Sequence, residues 1–340
     1  MDNITRDIAQ TNSLSARLAA GDAPPSALLG ATPWEDAAIT HLRRLDSASN
    51  GIEDGVAVLQ SAVLLHGGKL WRTTEQAHLW MPWSHHGSRG AHQPPRTALS
   101  RKQRRLRLSG RSVVCHRMQI DEGDLVLVDD VLATGLAQTI LHCARFLPPD
   151  DAKVAVESLI PLAIGRDPRW RECRADVQSQ WMALRRELLE ALRPCAHQRG
   201  VRQAREMLGT ASPFSESPYE SAFHRIALAA GYSALEPQMK VSTRSGDRWT
   251  DFGCRRARIG IDISGDVKYE GDAGAQYRLH QHSRDQDIRD TGVDLVNLTS
   301  HDVHDTSLVL ELLDRYLGET RDRHGLRSLW TRWEEPLYGF

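Results

Sequence analysis

Between Trp249 and Tyr269 the chain reads WTDFGCRRARIGIDISGDVKY. The basic turn Arg255-Arg256-Ala257-Arg258 separates an alternating run, Trp249-Thr250-Asp251-Phe252, from a tight apolar run, Ile259-Gly260-Ile261-Asp262-Ile263. Two short extended segments joined by a turn form a hairpin, and a hairpin needs further elements to cover its apolar face. The pairing sets Asp251 and Asp262 on neighbouring strands in apolar surroundings, with Lys268 just past a turn at Gly265. A carboxylate pair with a nearby lysine suits metal-assisted phosphodiester hydrolysis. Hard oxygen ligands hold Mg²⁺ or Mn²⁺, the metal polarises the phosphate and generates hydroxide, and a cation steadies the developing charge. Acids at a hairpin rim are also what a merely solvated turn carries.

The 340 residues suggest two main domains, and 40% hydrophobic with 26% charged residues is ordinary for a soluble globular chain. No apolar run reaches the length of a membrane span, and the N-terminus MDNITRDIAQTNSLSARLAAGD has no signal-like apolar core. The expectation is a cytoplasmic protein without membrane partners. Cys115, Cys143, Cys173, Cys195 and Cys254 are scattered, with no CxxC pair, and the histidines form no HExxH. Reduced structural thiols are expected, with neither a zinc knuckle nor a disulfide framework.

A net charge of −1 argues against a uniformly basic nucleic-acid binder and leaves room for a local patch. One cluster stands out: Arg96, Arg101, Lys102, Arg104, Arg105, Arg107 and Arg111. Contact with DNA phosphates is the functional reading, and a solvated charged loop is the structural one.

Residues 1–50 give little pattern beyond a helix near Trp34–Leu45, and 52–82 read as helices, with Thr73 or Thr74 as a cap. Strands are expected at Ser112–Met118 and Asp124–Val128. Helices follow after Thr134, over Ala152–Leu162, and over Ala175–Leu192 with Trp181, Leu184, Leu188 and Leu192 on one side. Residues 209–218, GTASPFSESP, have the composition of a linker. Ser217-Pro218-Tyr219-Glu220 then has capping-box spacing with Pro at the first helical position, and Gly231 stops that helix. Strands at Gln238–Thr243, Trp249–Phe252 and Ile259–Ile263, a helix near Ala273–Asp290 and a strand at Val293–Thr299 complete an α-β-β-β-α-β order. A helix at Ser307–Leu317 and a Trp-rich tail close the chain. The expected fold is α/β: an undefined segment 1–50, a mixed domain 51–208, the linker, a second domain 219–320 and a tail 321–340.

The C-terminal half resembles the endonuclease-like domain related to very-short-patch repair enzymes, in the PD-(D/E)XK superfamily, found at the C-terminus of actinobacterial proteins. The likeness rests on Ser215-Glu216-Ser217-Pro218-Tyr219-Glu220-Ser221 for the family's S-x-S-P-x-E-S opening, and on Thr250-Asp251-Phe252 for its V-D-F strand. It continues with Asp262-Ile263-Ser264-Gly265-Asp266-Val267-Lys268-Tyr269, with Arg284 to Gly292 for the R-E-D-x-L-R-x-x-G helix, and with Thr299 and Asp302-Val303. Upstream, Cys115-His116-Arg117, VDDVLAT and QTILHCARFLPPDDAKVAVESLI resemble the middle region shared with abortive-infection antitoxins. The resemblance implies a Mg²⁺- or Mn²⁺-dependent DNA endonuclease. Asp251 would be the principal metal ligand and Asp262 the second acid, Lys268 would be the cation at the phosphate, and Glu220 an auxiliary acid. Glu220 is equally accounted for by its capping box.

This sequence departs from the family at Asp262, where Glu is usual, at Ser264, where a second acid is usual, and at Gln286 and Asn297, which replace Asp and Arg. Those changes open the alternative of a catalytically degenerate DNA-binding or antitoxin-like regulator. A third reading comes from Asp124 to Gly135, DLVLVDDVLATG, which looks like the ribose-phosphate loop of phosphoribosyltransferases. That match fails at Leu136 and Ala137, where a small residue and a hydroxyl are required.

Overall fold

A computed structural model of the chain describes residues 33–49, 55–72, 74, 76–81, 113–265, 272–322, 324–331 and 334. The fold is mixed α/β, and the chain divides into two compact units, Met1–Cys143 and Ala144–Phe340.

The first unit contains α1 (Pro33–Ser49), β1 (Val56–Ala57), α2 (Leu59–Leu65), β2 (Ala77–Trp80), β3 (Val113–His116), β4 (Leu125–Val128) and β5 (Val131–Thr134), and α3 (Leu136–Phe146) carries the chain across the division. Its sheet has the order β3-β2-β1-β5-β4. β1 runs antiparallel to β2 and parallel to β5, and β4 and β5 form a hairpin. The all-helical expectation for 52–82 is therefore corrected. Among the described residues two strands flank the helix α2, because Ala57 and Leu79 are fully buried and pair with each other across the sheet. Over Ala77–Trp80 strand pairing outweighed the helical reading. Asp129 and Asp130 form the two-residue turn of the β4–β5 hairpin, with φ of 46° and 64°. Positive φ at both positions is what such turns require, and Asp tolerates it better than most residues.

The second unit contains α4 (Pro149–Ala163), α5 (Arg174–Ala191), α6 (Val201–Thr210), α7 (Pro218–Ala230), β6 (Glu236–Thr243), β7 (Gly246–Cys254), β8 (Ile259–Ser264), α8 (Asp272–Arg289), β9 (Asp294–Thr299), α9 (Ser300–Val303) and α10 (Thr306–Leu317). From α7 to β9 the order is the α-β-β-β-α-β expected. β6, β7 and β8 form an antiparallel meander, and α8 leads from β8 to the parallel strand β9. Ser217 caps α7 by accepting the Glu220 N–H at 3.1 Å, Pro218 occupies the first turn, and Gly231 closes the helix in the left-handed region. Gly253 is required by close approach: a Cβ there would lie 2.2 Å from the Met239 methyl group.

The division falls after Cys143, not at 209–218. Residues 211–214 are buried inside the second unit and tied to it by their backbone. Ser212 N–H donates to Glu157 Oε1 at 2.7 Å, the Trp181 indole donates to Ala211 O at 3.1 Å, and Lys153 Nζ donates to Thr210 O at 2.9 Å. Lys153 and Glu157 are a fully buried ion pair at 2.9 Å. A buried pair is stable only when its remaining hydrogen-bonding capacity is met, and this segment's backbone meets part of it.

A second buried charge fastens α7 to α4 and to the chain's last described turn. Arg225 is 2% exposed, lies 2.5 Å from Asp150 Oδ1 and donates to both oxygens of Glu334 at 2.7 and 3.1 Å. Burial raises the Glu334 carboxyl, but the Arg225 charge and several hydrogen bonds outweigh it and hold the group down at about 2. Stability from this contact is complete above the ordinary Glu range and is lost as pH falls from about 4.5 to 2. Arg225→Ala removes the cation shared by the buried Asp150 and the partly buried Glu334, so a loss of about 3–5 kcal/mol is expected by urea denaturation at neutral pH. Glu334→Gln is expected to flatten the acid limb of the stability profile.

Candidate functional site

β7 and β8 pair through Phe252 and Ile261, and one position further along Asp251 stands across from Asp262. Here the carboxylates stand in for backbone acceptors. The Asp251 N–H donates to Asp262 Oδ1 at 3.0 Å, and the Ile263 N–H donates to Asp251 Oδ2 at 2.7 Å. An aspartate is disfavoured within a strand, and these bonds are how the sheet accommodates two of them.

The other oxygens are met from outside the hairpin. Arg284, on α8, donates to Asp262 Oδ2 at 2.6 Å and also reaches the Trp249 carbonyl of β7. On the far side, β6 and β7 pair at Pro237–Phe252 and Met239–Thr250, which puts Gln238 opposite Asp251. The Gln238 amide nitrogen lies 3.3 Å from Asp251 Oδ1 and 3.4 Å from Glu220 Oε2. Its amide oxygen accepts from Arg171 at 3.1 Å, and Arg171 also pairs with Glu216 at 2.9 Å while its guanidinium lies over the Trp170 ring. Gln238 is 1% exposed and has φ of +51°, the left-handed region, inside a strand. Non-glycine residues held there carry strain of order 1–3 kcal/mol and cluster at functional sites.

Glu220 is brought in by the first turn of α7. Its carboxylate accepts from Glu216 N at 3.0 Å, so it faces back from the helix toward Gln238, with no bond to the N-cap backbone that would close a capping box. Burial, reinforced by the Asp251 charge, pushes Glu220 up to about 8. Burial, reinforced by the Asp262 charge, pushes Asp251 up to about 7. Like charges this close in a low-dielectric site cannot both ionise freely, so the pair retains protons near neutral pH.

The structure therefore brings together Glu220, Asp251 and Asp262. Lys268 and the basic residues Arg101, Lys102, Arg104, Arg105 and Arg107 lie outside the described residues. Ser264, where the family places an acid, pairs across to Thr299 on β9. Asn297 donates to Asp285 at 3.0 Å and Gln286 to Asp290 at 2.7 Å, so both replacements are absorbed into local hydrogen bonds. The ribose-phosphate reading of residues 124–135 finds no geometric support. That reading needs the acids and the Thr-Gly at one loop. The hairpin puts Asp129-Asp130 at one end of β5 and Thr134-Gly135 at the other, about 13 Å apart for a strand of this length.

Residues that sequence reasoning left without a role are Gln238, Arg171 and Arg284. Arg284 sits inside the helix motif that carries the resemblance, but nothing in the letters showed that it would cap Asp262. Gln238 has no sequence signal, because its importance lies in a backbone conformation.

Whether these residues fit a divalent cation turns on the raised acids. Glu220 and Asp251 face one shared donor, the Gln238 amide, and their raised pKa values mark negative charge that this donor does not neutralise. A cation in that position would neutralise it. Asp262 is already neutralised by Arg284. Among the described residues no group of three or more His, Cys, Asp and Glu is arranged to hold a metal ion. No family model matches the chain, and no curated protein or solved structure matches it.

An acid whose pKa is raised by folding stays protonated after its unfolded counterpart has ionised, so it costs stability increasingly as pH rises from about 4.5 to 8. Glu220→Gln keeps an acceptor for the Glu216 N–H and removes that cost. Relative to wild type, its unfolding free energy is expected to gain on the order of 1–3 kcal/mol between pH 5 and pH 8, read by denaturant titration at each pH. An unchanged difference across that range would show that Glu220 ionises normally.

Proposed function

We propose that the second unit is an endonuclease-like domain, of PD-(D/E)XK type in its α-β-β-β-α-β order, which hydrolyses phosphodiester bonds in cytoplasmic DNA. The observation that carries this reading is the meeting of Glu220, Asp251 and Asp262, from α7, β7 and β8, with two of the three acids pushed toward neutral pKa. Mg²⁺ or Mn²⁺ held by Asp251 and Asp262, with Glu220 beside them, would polarise the phosphate and acidify a water. The chain's own groups do the rest. Glu220, with a pKa near the working pH, is suited to accept a proton from water. Arg284 fixes the rotamer of Asp262, the Asp251 backbone N–H fixes its other oxygen, and Lys268 supplies the cation for the developing phosphate charge.

One observation favours a second reading, a catalytically silent DNA-binding or antitoxin-like regulator on the same fold. All four oxygens of Asp251 and Asp262 already have protein donors, and Arg284 provides the positive charge that a metal would bring.

The test is Mg²⁺- or Mn²⁺-dependent nicking of supercoiled and mismatched DNA by the wild type and by Asp251→Ala. The nuclease reading expects cleavage by the wild type and a fall of roughly 10²-fold or more in the variant. Absence of cleavage together with salt-sensitive DNA binding supports the silent binder. Absence of both removes DNA from the reading.

A further inference from the structure

α5 buries Val177, Trp181 and Leu188 against the rest of its unit, and Leu192 just after it is buried too. A neighbouring stripe of the same helix stays at the surface. Met182, Arg185, Arg186 and Leu189 recur at three- and four-residue intervals, so they share one face, and Arg193 follows just past the helix end. Arg205 from α6 completes the opposite wall of a groove of about 430 Å³ lined by these residues. The Arg185 guanidinium reaches Gly209 of α6 and so lies at the junction of the two helices.

The charge in this groove is not balanced from within. Glu190 also lines it and pairs with Arg193 at 2.8 Å. Among the described residues no acid engages Arg185, Arg186 or Arg205, and Arg185 Nε is buried without a hydrogen-bond partner. Glu190 stands four residues from Arg186, at the spacing that favours an ion pair on a helix, but it pairs with Arg193 instead. Met182 is 51% exposed and gives the groove an apolar floor beside its cations.

We infer that this α5–α6 groove binds the phosphate backbone of a nucleic acid. Guanidinium forks match phosphate oxygens in bidentate geometry. From Met182 to Leu189 the helical face is about 10 Å long, at 1.5 Å per residue, and Arg193 follows just past the helix end, so the row spans two or three successive phosphates of one strand. A polynucleotide offers an unbroken row of charge along one edge whatever its sequence. An extended acidic peptide turns alternate side chains away and fits a single row of arginines less well. Met182 and Leu189 are placed to touch sugar or base faces. This inference does not depend on whether the acidic site cuts.

The experiment uses the full chain in EDTA, which separates binding from cleavage. Fluorescence anisotropy is read against duplex DNA, single-stranded DNA, RNA of the same sequence and polyglutamate, over a salt series. The wild type is expected to bind a nucleic acid, and the three nucleic-acid arms identify which. In Arg186→Ala/Arg193→Ala the slope of log affinity against log salt becomes shallower by about two, and affinity at physiological salt falls about 10-fold. Arg186→Lys/Arg193→Lys keeps the slope, because the charges remain. The inference is overturned if the alanine variant binds like the wild type, if the wild type binds no nucleic acid, or if polyglutamate is bound more tightly than every nucleic acid.

Discussion

Arg284 holds the two layers of the C-terminal unit's α/β half in one arrangement. It leaves α8, ends on the Asp262 carboxylate of β8 and touches the β7 backbone at Trp249. Asp262 is 4% exposed, and a carboxylate at that depth needs a charged partner with good geometry. Because the partner comes from α8, which links β8 to β9, the position of that helix on the sheet and the orientation of the acid are set together. Asp251 follows from this, since its backbone N–H is bonded to the oxygen of Asp262 that Arg284 leaves free.

Charge at the neighbouring acids is handled differently. Glu220 and Asp251 receive only neutral donors: one backbone N–H each, from Glu216 and Ile263, and the shared amide of Gln238, a residue held in a strained backbone conformation. The site is thus half neutralised: settled at Asp262 and open to a proton or a cation at the other two. That asymmetry separates a site still able to recruit an ion from one that has replaced the ion with protein, and it is why the nuclease and silent-binder readings stand side by side.

The parts of this fold that were legible in the sequence are those written in local chemistry. Ser217-Pro218 and Gly231 bound α7 because caps and helix stops act within one turn, and the runs at 249–252 and 259–263 became β7 and β8 because a basic turn separates two apolar segments. The strands at 56–57 and 77–80 were illegible because each depends on partners far along the chain. Residues 211–214 looked like a linker by composition, but the buried Lys153–Glu157 pair uses their backbone, and composition carries no record of a partner fifty-five residues away. At the site, the acids could be named because few other residue types serve hydrolysis, whereas the groups that govern them, Gln238 and Arg284, are ordinary letters given meaning by geometry.

The bonds around Gln238 have a wider consequence. From Arg171 they run to Gln238 on β6, to Asp251 on β7, to Asp262 on β8, then through Arg284 and Asp285 to Asn297 on β9. This is a transverse line of polar groups crossing every strand of the sheet, side chains throughout except for the Asp251 backbone N–H that links to Asp262. Members of one such line do not vary independently: losing one leaves its neighbours with unmet polar groups, so effects of substitutions along it are non-additive. The evolutionary unit at this face is the line, and its residues are expected to be exchanged as sets, with single replacements at Gln238 or Asn297 tolerated only where the next member has already changed.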